Sequence, residues 1–70
     1  MSVKQLSVFL ENKEGKLKKA VNAMSQAGVN IRALSIADSS KYGILRLIVS
    51  DNETAINALR EEKFTVKETD

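Results

Sequence analysis

The sequence predicts an α+β domain of order βαββαβ, a four-stranded antiparallel sheet with both helices on one face. Three observations lead to it. Apolar residues alternate over Val3–Leu10, with Leu6, Val8 and Leu10 in one phase and Gln5, Ser7 and Phe9 in the other. Apolar residues then recur at helical steps, through Leu17, Ala20, Val21, Met24 and Ala27. After two further strand patterns, a second helix and a short strand repeat that succession.

Taken in order, Val3–Leu10 is the first strand and Asn12-Lys13-Glu14-Gly15 the turn that follows it. Lys16, Lys18, Lys19, Asn22, Ser25 and Gln26 form the wet side of the first helix, which runs for about three and a half turns. Gly28 ends it, as a glycine just past the last turn does. Val29–Ala37 is the second strand. Val29, Ile31 and Ala33 share one phase and Leu34 and Ile36 the other, so either both faces are covered or a bulge shifts the register near Ala33. Asp38-Ser39-Ser40-Lys41 is a tight turn, and Tyr42–Val49 a third strand. Ser50-Asp51-Asn52-Glu53 has the S-x-x-E form of a capping box and opens a second helix, with Ala55, Ile56 and Leu59 inward and an end near Lys63. Phe64 and Val66 mark a short last strand ahead of a charged, frayed tail. Two β-α-β crossovers around a central hairpin give the split βαβ, or ferredoxin-like, arrangement. That fold hosts many functions.

Composition narrows them. Seventy residues make one domain, 1–70, with a thin core that often gains stability by oligomerising. With no cysteine and no histidine, disulfides and the usual zinc sites are excluded. No metal and no cofactor are expected. The start has no long apolar core and no run is long enough to span a bilayer, so the expected location is cytoplasmic, without a membrane partner. A net charge of +2, with both signs mixed along the chain, does not argue for nucleic acid.

If Leu6, Val8 and Leu10 face the helices, Phe9 faces away from them. On strands two and three, either phase leaves some of Leu34, Ile36, Ile44 and Ile48 on that outer face as well. A contiguous apolar patch there marks an interface, and self-association is expected.

No catalytic residue is expected. Without His or Cys, Ser7, Ser35, Ser39 and Ser40 have no matching base, and Glu11, Glu14 and Asp38 lie on turns as solvated surface groups. RNA binding by the sheet would need stacking aromatics on the third strand. Lys41-Tyr42-Gly43-Ile44-Leu45-Arg46-Leu47-Ile48 offers one, placed before the glycine. The Asn12–Leu17 stretch fits a small anion better. A helix start leaves backbone N–H groups free and carries partial positive charge. Lys13 and Lys16 would favour an anion, although they oppose the helix dipole. Gly15 either admits a ligand close to the backbone or supplies a positive φ that the turn needs. Asn12 either orients a ligand or closes an Asx turn.

The stretches Val8-Phe9-Leu10-Glu11-Asn12-Lys13-Glu14-Gly15-Lys16-Leu17, Gly28-Val29-Asn30-Ile31-Arg32-Ala33-Leu34-Ser35-Ile36-Ala37-Asp38 and Tyr42-Gly43-Ile44-Leu45-Arg46-Leu47-Ile48-Val49 together resemble an ACT domain, a small-molecule-sensing module of amino-acid metabolism. The first stretch is similar to the N/D-x-P-G-x-L turn of that family and the second to its G-(I/V)-N-I strand start. The resemblance covers essentially the whole chain. It is greatest to the first half of free-standing proteins that carry two such domains in tandem. Glu14 departs from the pattern by standing where the family has proline. Tandem relatives continue beyond the equivalent of Asp70, so the expectation is a single domain cut from, or evolved without, its partner, or one that pairs with a copy of itself.

The resemblance implies a non-catalytic, allosteric regulatory module. Its effector, a small amino acid, would sit between paired domains of a homodimer or larger homo-oligomer. Asn12, Lys13, Gly15, Lys16 and Leu17 of one domain would then meet Val29, Asn30 and Ile31 of its neighbour. The ligand's carboxylate would take N–H groups near Gly15 and Lys16, and its ammonium the oxygens of Asn12 and Asn30 and a strand carbonyl. The alternative is a ligand-free dimerisation or scaffold module.

Overall fold

The computed structural model describes residues 4–11, 13–38 and 42–69. Its elements are β1 (Gln5–Glu11), α1 (Lys13–Gln26), β2 (Ile31–Asp38), β3 (Tyr42–Val49), α2 (Asn52–Glu61) and β4 (Thr65–Thr69), in the expected βαββαβ order. The strands form one antiparallel sheet in the order β2-β3-β1-β4. Asn12 and most of the expected 38–41 turn lie outside the described residues.

The inner face follows the alternation of β1. Leu6, Val8 and Leu10 are buried together with Leu45, Leu47 and Val49 of β3, Ala20 and Met24 of α1, and Ala55 and Leu59 of α2. At about 25 cal/mol per Å2 of apolar area, the Leu, Val and Met side chains among these each contribute roughly 1.5–3 kcal/mol on burial. Among the described residues no polar or charged side chain is buried with them, so the core itself is held by packing, while at the surface the Asn52 amide of α2 donates to the Glu68 carboxylate of β4 at 2.9 Å.

Of the two alternatives for the second strand, the structure shows the bulge near Ala33. Ile31 pairs with Val49 and Ala33 with Ile48, so Arg32 is the extra residue between them. This shift places Leu34 and Ile36 opposite Leu47 and Leu45, on the helix side of the sheet. They therefore do not join the outer-face patch. They are still 45% and 41% exposed, because α1 packs on β1 and β3 and α2 on β4, and the helical cover thins toward the β2 edge. The outer face carries Phe9 beside Ile44, with Ile48 and Ala33 paired further along.

Both helices end in the same hydrogen-bonded motif. In α1, Gly28 takes φ 78°, its N–H donates to the Ser25 carbonyl at 3.1 Å and the Val29 N–H to that of Met24 at 3.0 Å. In α2, Lys63 takes φ 68°, its N–H donates to the Arg60 carbonyl at 2.9 Å and the Phe64 N–H to that of Leu59 at 3.0 Å. This is the Schellman closure, which satisfies end carbonyls and tucks the next apolar residue inward. It corrects three expectations. β2 begins at Ile31 rather than Val29, because the Val29 N–H is committed to α1. α2 stops at Glu61, and Lys63 lies past its end in left-handed backbone. The expected frayed tail instead extends β4, where Lys67, Glu68 and Thr69 pair with Ser7, Leu6 and Gln5.

The start of α2 also differs by one residue. Asp51, not Ser50, is the N-cap: its carboxylate accepts from the Thr54 N–H at 3.1 Å and from the Thr54 hydroxyl at 2.8 Å. Those bonds favour the ionised form and hold the Asp51 carboxyl below its ordinary pKa, the hydroxyl bond contributing most. Ser50 instead secures the strand beside it, its hydroxyl accepting from the Asn30 N–H at 3.1 Å.

Candidate functional site

The residues expected to hold a ligand fall into two groups at opposite ends of the sheet. The Gly15–Leu17 group follows the end of β1, where Leu10 pairs with Gly43 at the start of β3. The Val29–Ile31 group lies where Ile31 pairs with Val49 at the end of β3. Val49 lies six residue steps along β3 from Gly43, roughly 20 Å. One chain does not bring the two groups together.

At the first end, α1 already includes Lys13, so the expected turn is the helix's first turn. Gly15, its third residue, has φ 78°, and the regular helical run begins after it. A Cβ built there would meet nothing within 4 Å. The left-handed backbone therefore requires the glycine, and close approach by the chain's own atoms does not. Lys16 is exposed and directs its Nζ over the Phe64 ring, 5.9 Å from the centroid. Leu17 is half-buried and packs against the core, so little of it is available to a ligand.

At the second end, Val29 is buried in the core and Ile31 packs against it. Asn30 is exposed. Its backbone is anchored on both sides, with the N–H donating to the Ser50 hydroxyl and the carbonyl accepting from the Ser50 N–H at 2.9 Å. The strand carbonyl expected to meet an ammonium thus already has one partner, while the exposed side-chain amide can serve as donor or acceptor. Val29, Asn30 and Ile31 share an open depression of about 320 Å3 with Val21, Ser25 and Gly28. Sequence reasoning assigned Val21 to the core and Ser25 to the solvated helix face. Their approach to Asn30 comes from the left-handed turn at Gly28, whose tightness no periodicity shows. Among the described residues no group of three His, Cys, Asp or Glu side chains is placed to hold a metal ion, and no helix is long and apolar enough to cross a membrane.

A split βαβ sheet with open depressions does not by itself choose among the functions that this fold hosts. The comparisons make the class specific. The family described as an ACT domain pair matches residues 1–70, and the chain belongs to it. Protein BT0572 from Bacteroides thetaiotaomicron is 45% identical with a TM-score of 0.92, over 96% of this chain and 46% of that one. The chain thus spans about half the length of that relative. The ACT domain of prephenate dehydrogenase from Bacillus anthracis is 28% identical with a TM-score of 0.77, over 90% of this chain and 99% of that one. The regulatory subunit of aspartate kinase from Thermus thermophilus, at 13% identity, shares the fold with a TM-score of 0.78, over 100% of this chain and 52% of that one. No curated protein matches. ACT domains are generally regulatory, non-catalytic modules, commonly bind small-molecule effectors and commonly oligomerise. This chain is an ACT-domain regulatory module.

Proposed function

We propose that the module binds a small amino acid in a pocket completed by a second ACT-type domain, and that it has no catalytic activity of its own. The second domain is either another copy of this chain or a neighbour on the same polypeptide. The carrying observation is the separation of the two residue groups at opposite ends of the sheet, next to an edge strand with uncovered apolar side chains. Antiparallel pairing of two β2 edges sets the start of one strand beside the end of the other, so each Asn30 approaches the partner's Gly15 end. The same pairing would cover Leu34 and Ile36 and satisfy the exposed edge groups of β2. The ligand carboxylate would take N–H groups near Gly15 with Lys13 and Lys16 close by. Its ammonium would take the amide oxygens of Asn12 and Asn30, and Leu17, Val29 and Ile31 would give the pocket its apolar floor. Glu14 replaces the family's proline beside the anion position and should lower affinity.

Binding that favours the paired state shifts the association equilibrium, which gives the module its output. The test is sedimentation velocity over a concentration series, with and without each of the common amino acids, run alongside thermal unfolding. A ligand that raises both the midpoint and the sedimentation coefficient, with both effects lost in Asn30→Ala, supports the proposal. Pairing without stabilisation by any amino acid at millimolar concentration would instead favour the ligand-free scaffold, a reading consistent with the burial of Leu17 and Val29. A strict monomer at high concentration, unresponsive to every amino acid, would refute pairing between copies of this chain.

A further inference from the structure

We propose a second site, contained within one chain, in the recess between the end of β1, the first turns of α1 and the α2–β4 turn, and that it takes an apolar α-amino acid. The recess holds about 250 Å3 and is lined by Phe9, Glu11, Lys16, Lys63, Phe64 and Thr65. Its size lies just under the range of about 300–1,000 Å3 usual for small-molecule pockets. No residue of the Asn30 depression takes part, so the site stands or falls apart from the interface pocket. It shares with that reading only Lys16 and the class of ligand.

Three features fit one kind of molecule. Phe9 is 40% exposed and offers an apolar surface to a side chain. Two ammonium groups, Lys16 and Lys63, stand against one carboxylate, Glu11, so the walls carry both signs with a net positive charge. A zwitterion answers that arrangement: its carboxylate meets the lysines and its ammonium meets Glu11. A plain anion leaves Glu11 unanswered, and a plain cation faces two like charges. Lys16 is already drawn toward this recess by the Phe64 ring beneath it.

The third feature is the backbone of Lys63. Both helices end in the same closure, and at the left-handed position α1 carries Gly28 whereas α2 carries Lys63. A residue with a Cβ is disfavoured there, and such strain clusters at ligand sites. The substitution puts a cation on the recess wall that glycine would remove.

The test is a titration of the isotopically labelled 70-residue chain, followed by amide chemical shifts. The probes are L-phenylalanine and L-leucine, with phenylacetate and phenethylamine as analogues lacking one charge each. Saturable shifts are expected at Phe9, Lys63, Phe64 and Thr65, with both analogues binding about tenfold more weakly or worse. Lys63→Asn keeps a residue that tolerates left-handed backbone but removes the cation, and Glu11→Gln removes the anion. Each should weaken binding by about tenfold with the spectrum otherwise native, while Asn30→Ala should leave the saturable shifts at Phe9, Lys63, Phe64 and Thr65 in place. Full affinity in both Lys63→Asn and Glu11→Gln would overturn the proposal. So would shifts confined to Gly15 and residues 29–31 that vanish in Asn30→Ala, because the interface pocket alone would then explain binding. The absence of saturable shifts with either amino acid would overturn it outright.

Discussion

Replacing Lys63 by glycine should make this domain more stable. Lys63 holds φ 68° at the end of α2, and the matching position after α1, with the same pair of hydrogen bonds, is Gly28 at φ 78°. Left-handed backbone costs a residue with a Cβ about 1–2 kcal/mol. Glycine returns about 0.4–1 kcal/mol of that through the greater freedom of its unfolded chain. The balance is a gain of roughly 0.5–1 kcal/mol. For a domain this small, 1 kcal/mol moves the thermal midpoint by about 4–8 °C, so a rise of roughly 2–8 °C is expected. Lys63 is exposed and makes no ion pair among the described residues. Its remaining contribution is the attraction of its charge to the α2 C-terminus, at most about 0.3–1 kcal/mol and screened by salt. Urea unfolding followed by circular dichroism in ~0.5 M salt, where the Debye length is only a few ångströms, isolates the backbone effect. A higher urea midpoint at unchanged slope is the expected result. A midpoint equal to or below that of the parent would show that Lys63 is not strained, and would remove one support from the single-chain site.

Gly28→Ala is the converse and should destabilise by about 0.5–1 kcal/mol net of the unfolded-chain term, read from the same unfolding curves; the added methyl meets no neighbour within 4 Å, so any loss is conformational. Leu34→Lys and Ile36→Lys should change the stability of the isolated chain by no more than about 0.5 kcal/mol, since both side chains are already well exposed. They should abolish self-association in sedimentation velocity if the β2 edge is the pairing surface, and unchanged association would move the interface to the face of Phe9, Ile44 and Ile48. Asp51→Ala should lower the thermal midpoint at neutral pH by removing the α2 cap. Because folding depresses the Asp51 pKa, its contribution is present above the unfolded value of about 3.8 and is lost as pH falls through the lower folded value. The gap between the parent and Asp51→Ala midpoints should therefore close on acidification below that value, and a gap constant with pH would refute the carboxylate's role.

What could be read from the sequence was whatever depends on period. Alternation in β1 identified Leu6, Val8 and Leu10 as core, and helical spacing identified Ala20, Met24, Ala55 and Leu59. The two phases within residues 29–37 left a bulge as one of two alternatives, and the β2–β3 register decides for it. What escaped depends on single hydrogen bonds and on neighbours distant in the chain. Ser50 and Asp51 can both cap, and the choice turned on Asn30 claiming the Ser50 hydroxyl. Lys63 gave no local sign of left-handed backbone, because that conformation follows from closing α2 onto Phe64. Leu34 and Ile36 fit either face, and only the strand order shows them on the helix side yet beyond the helices' reach. For the candidate site, sequence and resemblance named residues at both ends of the sheet. They could not show that Leu17 and Val29 are largely taken up by the core.

That last point bears on how the module would discriminate ligands. A pocket whose apolar residues also pack the core has little freedom to adapt, because close-packed interiors resist changes of even one methylene. Met24 is the buried link: its carbonyl accepts the Val29 N–H, and Leu59 and Phe64 lie in the same core. Any ligand pressing on Val29 or Ile31 would therefore meet the same packing that sets the end of α1. The polar group most free to select a ligand at the β2 end is the Asn30 amide, exposed on a backbone clamped to Ser50 on both sides. Removing the Ser50 hydroxyl leaves the side-chain amide chemically intact and takes away one of its two anchors. Ser50→Ala should accordingly weaken an interface ligand less than Asn30→Ala does. Equal losses would mean that the position of Asn30, more than its amide, is what the ligand reads.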